Sequence, residues 1–238
     1  MANVSSLKVK LFADGADKAG MLEMYANPLI KGMTTNPTLM KKAGITDYRH
    51  FCKDIISCIP DRSLSFEVFS DDFKEMERQA FEIAQWGKNV YVKIPVTNTK
   101  GETCHDLVRR LAVNKVKVNV TAIMTLTQVH DVVAALDPYV PSYVSVFAGR
   151  IADTGRYALP LMRAAVELLK VAPASELIWA SPRELYNVFE ANEAGCHIIT
   201  ATNDILKKLK LVGYDLDAYS LDTVKMFYND AVSAGFKL

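Results

Sequence analysis

Eight short runs rich in β-branched and aromatic residues recur along this chain, with helical patterns between them, and few architectures accept that alternation. The runs are "LKVKLFAD" (7–14), "IKGMTTN" (30–36), "LSFEVFS" (64–70), "NVYVKIP" (89–95), "KVNVTAI" (117–123), "YVSVFAG" (143–149), "ELIWAS" (176–181) and "CHIITAT" (196–202). Helical periodicity marks "DDFKEMERQAFEIAQWG" (71–87), "TLTQVHDVVAAL" (125–136), where Thr127 is read as the N-cap, and "GRYALPLMRAAVELLKVA" (155–172). Eight such units in 238 residues predict one (β/α)8 TIM barrel domain over 1–238, with a doubly wound open sheet as the second choice. A closing helix is expected at about 219–235, within "YSLDTVKMFYNDAVSAG". Half of the residues are hydrophobic, so a barrel core can be buried without disulfides or metals.

Several function classes recede on composition. A formal net charge of +1 argues against nucleic acid and membrane surfaces as partners. No apolar run approaches membrane-spanning length, and "MANVSSLKVKLFAD" alternates like a strand where a signal peptide would carry an apolar block. Cys52, Cys58, Cys104 and Cys196 form no CxxC pair and read as reduced thiols of a cytoplasmic protein. His50, His105, His130 and His197 show no metal-ligand spacing, so no metal is expected, and neither GxGxxG nor a Walker A loop is present.

Barrel enzymes build their sites at the C-terminal ends of the strands. Asp14 ends the first run, and Thr34, Thr35 and Asn36 end the second; the next three carry Glu67, Lys93, and Asn119 with Thr121. Ser145 lies in the sixth run with Phe147 on the same face and Arg150 just beyond; the seventh leads into Ser181 and Arg183. With period-2 alternation, Ser65, Glu67 and Phe69 share a face, as do Asn119 and Thr121. If the apolar alternates Val90, Val92 and Ile94 meet the outer helices, Lys93 points into the mouth. Taken alone, Lys93 could be the wet face of an edge strand, because most lysines are surface residues. The run of polar groups at one end of seven strands favours the site.

An amine enclosed by apolar and neutral groups loses the solvation that favours its charged form. A free amine can attack a ketone and form a Schiff base, an electron sink for breaking the neighbouring C–C bond. Glu67 and Asp14 can carry the protons this requires. Each has a plainer reading. Asp14 could cap a helix, Glu67 could be the structural ion-pair partner of Lys93, and Asn36 before Pro37 could open a turn. Arg150 and Arg183, with Ser181, could grip a phosphate or be surface arginines.

The segments "LFADGAD", "GMTTNPT", "SFEVFS", "VYVKIPVT", "VNVTAI", "YVSVFAGRIAD" and "WASPRE", in this order, resemble the transaldolases, specifically their short subfamily, and the likeness runs from about residue 8 to the end. The resemblance implies Lys93 as Schiff-base nucleophile and Asp14 as acid/base at the bond-breaking hydroxyl. Glu67 would act with Thr121 through a water on the carbinolamine. Asn36, Thr35, Asn119, Ser145 and Phe147 would surround the three-carbon unit, and Arg150, Ser181 and Arg183 would hold the phosphate. It further implies transfer of a dihydroxyacetone unit from sedoheptulose 7-phosphate or fructose 6-phosphate to glyceraldehyde 3-phosphate or erythrose 4-phosphate, as in the pentose phosphate pathway. No cofactor is implied; the expected partners are sugar phosphates and copies of the chain, in a homo-oligomer such as a decamer. The alternative is a lyase like fructose-6-phosphate aldolase, which releases free dihydroxyacetone. Such aldolases carry Gln where this chain has Glu67 and Tyr where it has Phe147, which sets the chain on the transaldolase side. Pro182 departs from the bulkier apolar residue common in the family and predicts a reshaped phosphate pocket. A phosphosugar-binding protein without turnover and a deoxyribose-phosphate aldolase are weaker alternatives. The first leaves Asp14 and Glu67 beside Lys93 without a purpose, and the second leaves "TTNPT" before "VKIP" unexplained.

Overall fold

A computed structural model describes residues 3–238. Its strands are β1 (Lys10–Asp14), β2 (Ile30–Thr34), β3 (Ser63–Glu67), β4 (Val90–Pro95), β5 (Val118–Ile123), β6 (Ser142–Val146), β7 (Ser175–Trp179) and β8 (Ile198–Thr202). They close in sequence order into a parallel barrel, β8 pairing with β1, which excludes the open sheet. The helices are α1 (Lys18–Ala26), α2 (Pro37–Lys42), α3 (Tyr48–Cys58), α4 (Phe73–Ala84), α5 (His105–Val113), α6 (Leu126–Ala135), α7 (Ala148–Asp153), α8 (Leu159–Leu169), α9 (Tyr186–Glu193), α10 (Asn203–Leu206) and α11 (Leu216–Ser233). The closing helix is thus where the pattern placed it, and no helix among the described residues is long and apolar enough to cross a membrane.

Alternation sorts the strand residues into two cores. Val90, Val92 and Ile94, with Val118, Val120, Val144 and Leu177, face outward and pack with the helices. Phe12, Tyr143, Ile178 and Ile198 face inward, joined by Tyr91, and fill the barrel below the mouth. Tyr91 and Tyr143 stack with ring centroids 3.9 Å apart, and Phe12 meets Tyr143 edge-on at 5.9 Å. Gly32 makes room for that plug, since a Cβ there would lie 2.5 Å from Phe12 Cζ. The packed interior gives the mouth a solid floor.

Four of the eight strands, β2, β3, β6 and β7, stop earlier than the apolar runs do. β2 ends at Thr34 because Asn36 caps α2, accepting from Leu39 N at 2.9 Å, with Pro37 in the first turn. β3 ends at Glu67, so Phe69 escapes the barrel face it was expected to share with Glu67 and meets Tyr48 edge-on outside, 63% exposed. β6 ends at Val146 because the chain turns directly into α7, over residues that the sequence pattern assigns to a strand and its loop. The cap of α6 is Thr125 where Thr127 was expected; Thr125 and Gln128 form a reciprocal capping box.

Candidate active site

The C-terminal mouth encloses a cavity of about 560 Å³ lined by Asp14, Thr34, Asn36, Glu67, Lys93, Thr121, Ser145, Phe147, Arg150, Ser181, Arg183 and Thr200, among others. Barrel register builds its centre. Glu67 stands opposite Lys93 in the β3–β4 ladder, and Lys93 opposite Asn119 in the β4–β5 ladder, so three polar side chains meet on adjacent strands. Lys93 is only 5% exposed. Its Nζ donates to the Thr35 carbonyl at 2.8 Å and lies 3.2 Å from Glu67 Oε2. The ion pair offered above as the plainer reading of Glu67 is therefore formed, and the surroundings of the amine are not wholly neutral. An ammonium enclosed this far is held by a paired charge, and removing one partner of such a pair typically costs about 3–5 kcal/mol.

Asp14 is not a helix cap. That task falls to Asp17, which accepts from Gly20 N. Asp14 Oδ1 instead accepts from Thr34 Oγ1 at 2.7 Å, and Thr34 Oγ1 lies 2.6 Å from Thr200 Oγ1. A hydroxyl has one proton, so Thr200 donates to Thr34 and Thr34 to Asp14. Burial pushes the Asp14 carboxyl above the usual carboxylate range, against the opposing pull of Lys93 and the Thr34 hydrogen bond.

Beneath the cavity, Asn119 spends both ends of its carboxamide. Its Nδ2 donates to Ser65 Oγ at 3.0 Å, and its Oδ1 accepts from Ser145 Oγ at 2.7 Å. Thr35 Oγ1 donates to the Ser65 carbonyl. Thr35 and Asn119 are not among the residues lining the cavity; they brace Lys93 and Ser145 from below. Asn36 does line it, and since its Oδ1 serves the α2 cap, its N–H groups are the part that can meet a ligand.

Thr121 sits at an irregularity. The β5–β6 register shifts between Val120 and Ile123, and Ala122 adopts φ +63°. A non-glycine residue there costs about 1–2 kcal/mol, and bulges of this kind re-aim side chains beside active sites. Thr121 Oγ1 is buried in the cavity wall with no hydrogen-bond partner among the described residues. A hydroxyl so placed is short of a partner that a ligand can supply.

The cationic end is built from the loops after β6 and β7. The Arg150 guanidinium lies over the Phe147 ring at 5.4 Å. Arg183 is bound to Asp153: Nε donates to Oδ1 at 2.8 Å and Nη2 to Oδ2, while Nη1 donates to Ser181 Oγ at 3.1 Å. Ser181 itself has φ +60°, and a Cβ on Gly149 would fall 1.6 Å from its carbonyl oxygen, so only glycine fits at 149. Pro182 is buried and does not line the cavity.

Comparison with known proteins agrees with these motifs. The family model described as Transaldolase/Fructose-6-phosphate aldolase matches residues 11–237. The chain belongs to the transaldolase/fructose-6-phosphate aldolase family. Among its relatives, a "Probable transaldolase" of Thermoanaerobacter sp. (strain X514) is 33% identical over 231 residues, covering 97% of this chain and 100% of the relative. One of Methanococcus maripaludis is 35% identical over 205 residues, covering 84% and 89%. Another, of Dehalococcoides mccartyi, is 31% identical over 202 residues, covering 84% and 90%. For a transaldolase/aldolase family member, the sequence reading missed three features of the site: Thr200, the strained Ala122 and Asp153. Thr200 was hidden because it is one neutral hydroxyl inside the eighth run, short of its C-terminal end; positive φ at alanine leaves no compositional mark. Asp153 was visible in "GRIAD" but had no partner until the fold brought Arg183 to it.

Proposed function

We propose that this chain is a transaldolase, moving a dihydroxyacetone unit between sugar phosphates through a Schiff base on Lys93. What carries the reading is the enclosed Lys93 ammonium at 3.2 Å from Glu67, in one cavity with an Asp14 carboxyl raised by burial. The ion pair supplies the first step. Glu67 takes a proton from Lys93, the free amine adds to the ketose C2 carbonyl and passes one of its own protons to that oxygen, and Glu67 returns its proton to the resulting hydroxyl, which leaves as water. Thr121, on the neighbouring strand, offers its unpaired hydroxyl to that exchange. The product is a protonated imine beside a Glu67 carboxylate, so the charge balance of the resting pair is restored.

Asp14 then accepts the proton of the C4 hydroxyl. The C3–C4 bond breaks, its electrons neutralise the imine as an enamine, and the aldose phosphate departs. With an incoming aldehyde the enamine carbon attacks, and protonated Asp14 returns its proton to the new alkoxide. A carboxyl with a raised pKa suits both directions, because it holds and releases the proton nearer neutrality. Asn36 and Ser145, which line the cavity, would meet the three-carbon unit, and Arg150, Ser181 and Arg183 the phosphate of fructose 6-phosphate or sedoheptulose 7-phosphate. The acceptors are glyceraldehyde 3-phosphate or erythrose 4-phosphate, the exchange of the pentose phosphate pathway. Free Cys52, Cys58, Cys104 and Cys196 suit a reducing cytoplasm, and an α11 with no buried residue suits assembly into a homo-oligomer.

Intact-mass measurement after incubation with fructose 6-phosphate and borohydride tests this. Wild type should gain one reduced dihydroxyacetone unit, and Lys93→Met none. An unmodified wild type, across a panel of ketose phosphates, would end the proposal. Free dihydroxyacetone accumulating without an acceptor would assign the lyase reaction instead.

A further inference from the structure

The reaction just described uses Arg183 but gives no task to the carboxylate that grips it. Resting on that reading, we propose that Asp153 is a positioning residue: it holds the Arg183 guanidinium in place for the sugar phosphate and thereby sets the preference for phosphorylated ketoses.

The donor count supports it. A guanidinium has five N–H groups in a rigid fork. Asp153 occupies the Nε–H and one Nη2 proton, and Ser181 Oγ accepts from Nη1, so one N–H remains on each terminal nitrogen. Two such donors are what a pair of phosphate oxygens needs. Because Ser181 accepts from Arg183, its own hydroxyl proton is left to donate. Asp153 thus leaves the phosphate-binding capacity of Arg183 intact while fixing its direction.

The seat is also rigid. Asp153 ends α7 after β6, whereas Arg183 follows β7, so the pair ties two adjacent loops together. The backbone below them is fixed by the approach of Gly149 to the Ser181 carbonyl and by the left-handed Ser181. A further hydrogen bond, Arg183 N to Asn187 Oδ1 at 2.7 Å, anchors the main chain. Asp153 and Arg183 side chains are 50% and 46% exposed, and a pair so exposed adds little to folding stability. Its consequence lies in the rotamers it removes from Arg183 before any ligand arrives. The guanidinium hydrogen bonds hold the Asp153 carboxyl below the usual carboxylate range, so the clamp is charged at neutral pH.

The test compares wild type with Asp153→Ala, Asp153→Asn and Asp153→Glu in the full chain. It reads KM and kcat for fructose 6-phosphate, the inhibition constant of inorganic phosphate, and borohydride trapping of Lys93 with free dihydroxyacetone, which has no phosphate. Losing a charge-assisted bond should raise KM and the phosphate constant about tenfold in Asp153→Ala, with kcat within about twofold and trapping unchanged. Asp153→Asn should fall between, and Asp153→Glu should recover part of the loss. Unchanged or lower constants in Asp153→Ala would overturn the proposal, lower values marking Asp153 as a rival of phosphate for Arg183. A fall in kcat with lost trapping would also overturn it, as a merely structural effect. Failure of wild type itself to trap dihydroxyacetone or turn over fructose 6-phosphate would strike the Schiff-base reading and leave the phosphate constants to judge Asp153.

Discussion

Asp14 and Glu67 are carboxylates around one lysine, and the proposed reaction divides its proton transfers between them according to their surroundings. Glu67 touches the Lys93 ammonium directly, and in the proposed reaction it is the proton's first stop. Asp14 is held by a relay of two threonine hydroxyls and is raised by burial, and the proposed reaction assigns it to the C4 hydroxyl. Replacing Asp14 by Asn should therefore cut turnover by about a hundred- to ten-thousand-fold, the worth of a positioned acid/base. Trapping of free dihydroxyacetone on Lys93 should survive, since no C–C bond breaks in that reaction. Loss of trapping in Asp14→Asn would instead put Asp14 in imine formation. The pH dependence has a definite sign. Asp14 must be ionised to accept the proton, so turnover falls as pH drops through its raised pKa. The acid limb of kcat against pH should lie above the ordinary carboxylate range, and a limb at or below it would contradict the assignment.

At the scale of elements, the sequence was most legible where period and chemistry agreed. Alternation in "VYVKIP" fixed the inward face of β4, and register then placed Lys93 between Glu67 and Asn119. Where local competition decides the structure, the pattern failed. "YVSVFAG" reads as one strand through 149, but β6 stops at Val146 because α7 begins at Ala148. The α6 cap failed in the same way, since Thr125 and Thr127 both suit the role by residue type. Geometry separates them: Gln128 N donates to Thr125 Oγ1 at 3.2 Å, and Gln128 Oε1 accepts from Met124 N and Thr125 N at 2.9 and 3.1 Å. Thr125→Ala should cost about 1 kcal/mol and lower the melting temperature by about 2–4 °C. Thr127→Ala should leave it almost unmoved. Equal melting temperatures for the two variants would mean that the capping box contributes nothing measurable.

At the scale of the whole molecule, one element has no place in either core. α11 runs for 18 residues and buries none of them. Yet Leu221, Val224, Phe227, Tyr228 and Val232 recur on it at spacings of one, three and four residues, and each is more than half exposed. Such spacing makes an apolar stripe, not a solvated helix. Monomeric proteins rarely leave a contiguous patch of this kind in water, and each large side chain covered contributes roughly 1.5–3 kcal/mol. The barrel itself is complete without α11, because the mouth and both cores are built from residues before Asp215. Under the proposed homo-oligomer this stripe would pack against another copy of the chain, and its exposure motivates that proposal independently of family likeness. Sedimentation velocity should show this 238-residue chain as a species well above the 26.4 kDa of one copy. A charge placed in the stripe, Phe227→Glu with Val224→Glu, should shift it toward the monomer while circular dichroism of the barrel is retained. A wild type sedimenting as a monomer at micromolar concentration would remove the second copy as the occupant of that face.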